Sequence, residues 1–154
     1  MDFTFQVLNN TRAIFNKIIE NNALEDLNKI PAGFNNNIIW NIGHIVVSEQ
    51  LLAYKLSGLD TMVSDEMINT YRKDSKPEGD ITQEDVNEIK GLLFSTVEKT
   101  KSDYNKGVFK MYNAYTVSTT GNTLSNIDEA LQFIAIHEGL HYGYVLALLK
   151  AVKN

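Results

Sequence analysis

Two histidines stand one helical turn apart in "IHEGLHYGYV", residues 136–145, and a third lies in "NIGHIVVSEQ", residues 41–50. The chain has no other histidine. His137-Glu138-Gly139-Leu140-His141 spells H-E-x-x-H, the helical pattern in which two histidines bind zinc and the glutamate acts as a general base. Side chains at i and i+4 share one helix face with Cβ atoms about 6 Å apart, so both imidazoles can reach one cation. His44 lies on the stripe Trp40, His44, Val47, Leu51, and the pair lies on Ile134, His137, His141, Val145, Leu148. Both stripes are otherwise apolar, which places all three histidines toward the core. A single core imidazole can be a neutral ring hydrogen-bonded to a backbone carbonyl, and that is the simpler reading of His44 taken alone. For three of them, burial without partners is costly, and a divalent metal satisfies the ring nitrogens together. Three protein ligands with an open position is the arrangement of a catalytic zinc site.

A protease is not the expectation. The extended metalloprotease motif needs a glycine and a third histidine where this chain has Tyr144 and Ala147. No acidic residue follows His141 to act as a downstream ligand. Glu138 sits about 100° round the helix from His137. It could support a ligand or act as a base, or simply be a helix-surface carboxylate. Around the histidines, Asn41 is placed to hold the far ring nitrogen of His44, or is only a polar residue near a helix start. Tyr144 could line the pocket or pack in the core or at an interface. Tyr112 and Tyr115 could cover its mouth or pack a hairpin.

The elements that must position these groups are helical. Apolar periodicity predicts helices over 3–22, with Phe3, Val7, Ile14, Phe15, Ile18 and Ile19 as the apolar set, and over 37–57, stopped by Gly58. Two more are expected over 83–102, capped by Thr82 with Asp85, and over 126–152, capped by Ser125. A short helix fits 65–71 and a short hairpin fits 108–118. The long connections suit crossovers between helices that are not simple neighbours. The fold class read from this is all-α, a four-helix bundle with long crossover connections, in a single domain over 1–154.

Composition narrows the function. The 154 residues carry a net charge of −5, without the basic stripes that nucleic acid requires. There is no cysteine, which removes disulfides, thiolate nucleophiles and zinc–sulfur sites. No apolar run approaches the roughly 20 residues of a membrane span, and the N-terminus lacks a secretory pattern. The expectation is a cytoplasmic protein acting on a small molecule, with no nucleic-acid or membrane partner.

"PAGFNNNIIWNIGH" and "IIWNIGHIVVSEQLL", followed much later by "EALQFIAIHEGLHYGYVLALLK", resemble the DinB family of metalloenzymes along the whole chain. The resemblance implies a four-helix bundle, often a homodimer, holding zinc or nickel on three histidines. Carried over, these are His44, His137 and His141, with Trp40 and Gly143 also matching. It further implies that some members transfer low-molecular-weight thiols such as bacillithiol or mycothiol. Metal-assisted hydrolysis and a non-catalytic metal-bearing protein remain alternatives. Gly139 and Gly143, largely away from the histidine face, are candidates for a close subunit contact.

Overall fold

A computed structural model describes residues 1–153. The first helix, α1 (Asp2–Glu20), buries Phe5, Leu8, Arg12, Phe15, Ile18 and Ile19. Its face is rotated from the sequence expectation: Phe3 is 76% exposed and Ile14 lies on the surface. A five-residue helix, α2 (Leu24–Asn28), follows, which the apolar pattern did not indicate. Next comes α3 (Ile38–Ala53), capped by the Asn37 side chain accepting from the Trp40 N–H. It ends before a 3₁₀ turn, Lys55–Ser57, rather than running to residue 57. Gly58 closes that turn with φ of 69°, a left-handed conformation that glycine adopts without steric cost. Residues Ile38, Ile39, Ile42, Ile45, Val46 and Val47 are all buried, as are Asn41, His44, Glu49 and Gln50, so α3 is enclosed on every side and runs through the core.

The short helix α4 (Asp65–Tyr71) matches its expected span and is capped by Ser64. Then α5 (Gln83–Asn105) opens with the reciprocal Thr82–Asp85 capping box read from the sequence and extends three residues past the expected end. The hairpin forms, but further along than 108–118: β1 (Tyr115–Thr116) pairs antiparallel with β2 (Thr123–Leu124). Its position follows from Gly121, whose φ of 74° permits the reversal. The last helix is α6 (Ile127–Val152). Asn126, not Ser125, is its cap, accepting from the Glu129 N–H, while the Ser125 N–H donates to Glu129.

The four long helices make the bundle expected from the sequence. Both α1 and α3 pack on α5 and α6, which leaves α1 diagonal to α3 and α5 diagonal to α6. The connections 21–37 and 106–126 therefore cross the bundle. Among the described residues no helix is long and apolar enough to cross a membrane. The pairing that matters for function is α3 against α6, because it brings both histidine stripes together.

Candidate metal centre

His44 is buried on α3, while His137 and His141 are half-buried on α6. Each offers one ring nitrogen such that all three lie within 4.8 Å of one another, a set that could hold a metal ion. Ring centroids are 5.1 Å apart for His44 and His137, 4.7 Å for His44 and His141, and 4.5 Å for His137 and His141.

The surroundings decide which nitrogen is free. His44 Nδ1 lies 2.6 Å from the Tyr71 carbonyl oxygen. A carbonyl only accepts, so Nδ1 carries the proton and Nε2 keeps its lone pair. Gly43 makes this contact reachable, since a Cβ there would come within 2.6 Å of the Tyr71 ring. Trp40 fixes the ring plane by stacking on His44 at 4.9 Å and 11°, while its Nε1 donates to the Thr70 carbonyl.

His141 is held in the same sense by Asn41. The Asn41 Nδ2 donates to Asn36 Oδ1 and to the Asn37 carbonyl, so its Oδ1 is the acceptor facing His141 Nδ1 at 2.8 Å. The Nε2 of His141 is thereby freed. Orienting partners of this kind set the tautomer of ligating histidines. Asn41 thus serves His141, from the other helix, instead of its own helix neighbour His44. His137 stacks on Phe133 at 5.9 Å, and its Nε2 lies 3.3 Å from His44 Nε2. The His44 lone pair faces both that nitrogen and the Ser48 hydroxyl, 3.2 Å away, and the gap between the two rings suits a shared proton or a shared cation.

Burial lowers the pKa of all three rings, because charging an imidazole away from water is unfavourable. For His44 the Tyr71 carbonyl partly opposes the shift. Burial, reinforced by His44, brings His137 down to about 4. Burial, reinforced by His137 and His44, brings His141 down to about 3. The rings are therefore neutral near pH 7, the form that ligates metal.

The three rings open onto a cavity of about 440 Å³. Its wall includes Ser48, Leu52, Val117 and Phe133, and Tyr115 contributes from β1. Tyr112 instead donates to the Leu52 carbonyl, and Tyr144 is outside the cavity, edge-on to Phe34 at 5.6 Å. Nothing lies within 4 Å of a Cβ built at Gly139 or Gly143.

Glu138 corrects the surface reading. It is 1% exposed and faces the bundle interior, not the cavity. Arg12, fully buried on α1, donates from Nε to Glu138 at 2.8 Å and approaches it through Nη2 at 2.6 Å. Arg12 Nη2 is also 3.7 Å from Glu49, which accepts from Thr100. Two carboxylates face one guanidinium. Burial, with Glu49 nearby, raises the Glu138 pKa against the opposing pull of Arg12. Glu138 is thus committed to a structural ion pair and unavailable as the base of a protease. Metal-loaded protein incubated with unstructured peptides should release no fragments by mass spectrometry. Chelator-sensitive cleavage would show that another group supplies the base.

Sequence reading missed Arg12 and Glu49. The signal for Arg12 was present: Phe5, Leu8, Arg12, Phe15 and Ile19 recur at helical spacing, with one charge on an apolar stripe.

A helical bundle presenting three converging imidazoles to a cavity defines a class of candidate metal-binding proteins. The family model of the DinB superfamily matches residues 8–145, and the chain belongs to that superfamily. No curated protein matches the chain.

Proposed function

We propose that the protein is a metal-dependent enzyme in which His44, His137 and His141 hold a divalent ion, zinc or nickel, and that it transfers a low-molecular-weight thiol to a small electrophile. The observation supporting the metal site is the set of three ring nitrogens within 4.8 Å, with the His44 and His141 tautomers set so that Nε2 keeps its lone pair, beside a 440 Å³ cavity. The choice of thiol transfer rests mainly on the resemblance to DinB relatives. A divalent cation on three neutral imidazoles keeps its positive charge and favours the anionic form of a bound thiol or water. The chain has no cysteine, so the sulfur must come from a co-substrate. In the transfer a sulfur–carbon bond forms, the carbon–leaving-group bond breaks, and the thiol proton departs with the leaving group. Tyr71 and Asn41 hold His44 and His141 in place for this, and Leu52, Val117 and Phe133 supply a wall from which water is displaced.

The test mixes metal-loaded protein with a chlorinated arene and, in turn, bacillithiol, mycothiol, glutathione and coenzyme A. Conjugation should exceed the uncatalysed rate with at least one thiol and fall at least tenfold, roughly the loss of one essential interaction, in His141→Ala. No thiol-dependent rate, with metal-dependent turnover of an ester or amide, would replace the transferase with a hydrolase. Neither activity would leave a metal-bearing binding protein.

A further inference from the structure

The chain is acidic overall, with 19 Asp and Glu against 14 Lys and Arg. The cavity at the histidines reverses that balance. No carboxylate lines it, whereas Lys55 and Lys73 both do. The two lysines arrive from separate segments: Lys55 begins the 3₁₀ turn after α3, and Lys73 follows α4. Lys55 forms no ion pair among the described residues. Lys73 meets Asp74 at 2.8 Å, but with 57% and 75% of the side chains exposed, a pairing of little strength that a ligand can displace. The rest of the lining is largely apolar, from Leu51, Leu52, Leu56, Val117 and Phe133, with Tyr115 and the hydroxyls of Ser48, Ser118 and Thr119 beside them. Low-dielectric walls strengthen the pull of a one-signed charge on an incoming ion.

We infer that the cavity takes an amphipathic organic anion, its apolar body against Leu52, Val117 and Phe133, and its carboxylate or phosphate at Lys55 and Lys73. Such a ligand presents its remaining end to the three histidines. The inference rests on the proposal that this cavity is the site of action, and it names the substrate class for that site. Lys55 continues the His44 face at i+11, through Ser48, Leu51 and Leu52, whereas Lys73 comes from a separate segment 29 positions beyond His44. The topology unites them by folding the turn after α3 and the segment after α4 over one opening.

Calorimetric titration of the full chain with octanoate, octyl phosphate and octanamide tests this. Metal-free protein is used first, so that a metal–oxyanion bond does not contribute, and zinc-loaded protein second. At least one acid should bind on the order of fivefold more tightly than octanamide, the yield of two exposed cation contacts. The gap should narrow as salt is raised. In the Lys55→Gln, Lys73→Gln double variant the acids and the amide should bind within about twofold of each other, with octanamide affinity unchanged. Which acid binds better identifies the headgroup. Equal affinities in the wild-type protein, a preference that survives in the double variant, or no binding by any probe overturns the inference. Zinc content measured on the same samples separates the two readings. Retained zinc without an acid preference sinks the anion subsite alone, and an acid preference without zinc retention sinks the metal site alone.

Discussion

Arg12→Met should lower the stability of the protein by about 3–5 kcal/mol, the usual cost of removing one partner from a buried ion pair. Arg12 is fully buried and donates to Glu138, to the Leu93 carbonyl and to the Ile45 carbonyl, so it ties α1 to α3, α5 and α6 together. Its loss leaves Glu138 and Glu49 desolvated with no cation to face. Glu138 Oε2 and Glu49 Oε2 already lack a hydrogen-bond donor. For a chain of this size the change corresponds to a fall in Tm on the order of 10 °C. Because the penalty comes from the orphaned carboxylates, Arg12→Met combined with Glu138→Leu and Glu49→Met should recover much of it. A loss under about 1 kcal/mol in Arg12→Met, the range of a surface pair, would falsify the assignment of Arg12 as the centre of the buried cluster.

The second large effect concerns the histidines. His137→Ala should remove most bound divalent metal, and His44→Ala should weaken retention strongly, because each takes away one of only three nitrogens. Asn41→Ala is the graded case. It leaves every ring in place and removes only the acceptor that orients His141, for which a loss of about 10–100-fold in metal affinity is expected. Elemental analysis after dialysis against a weak chelator measures all three. Full retention of metal in the His44→Ala, His137→Ala double variant would end the three-histidine reading. Each variant should also be checked by circular dichroism, since a fold that is intact but metal-poor isolates the ligand effect.

The helices and the converging histidines were legible because each is written in local periodicity. Trp40, His44 and Val47 repeat at the spacing of one helix face, and Ile134, His137, His141 and Val145 do the same. Two such stripes, each polar only at its histidines, must meet if both are to be buried. What was not legible depends on contacts between distant segments. Glu138 looks like a surface carboxylate until Arg12 is known to sit opposite it, 126 positions away. The partner of Asn41 lies 100 positions on, and no spacing rule announces it. On α1 the difference is one of phase in its first half: Phe3 and Ile14 are exposed and Phe5 and Leu8 take the buried face, whereas Phe15, Ile18 and Ile19 are buried as expected. The hairpin shifted because Gly121 supplies the reversal, whereas side-chain alternation had suggested 108–118.

The geometry of the histidines also bears on how the chain holds together. His44 and His137 are separated by 93 positions, yet their Nε2 atoms are 3.3 Å apart. A divalent ion gripping both would act as a covalent staple acts in a secreted domain, closing a long loop in a chain that has no cysteine to do so. In the chain-entropy account, a link closing a loop of this length restricts the unfolded ensemble by about 4–5 kcal/mol. The staple would join α3 to α6 at the cavity floor, so occupancy by metal and resistance to unfolding would rise and fall together. Protein starved of that ion would then keep its bundle but unfold more readily.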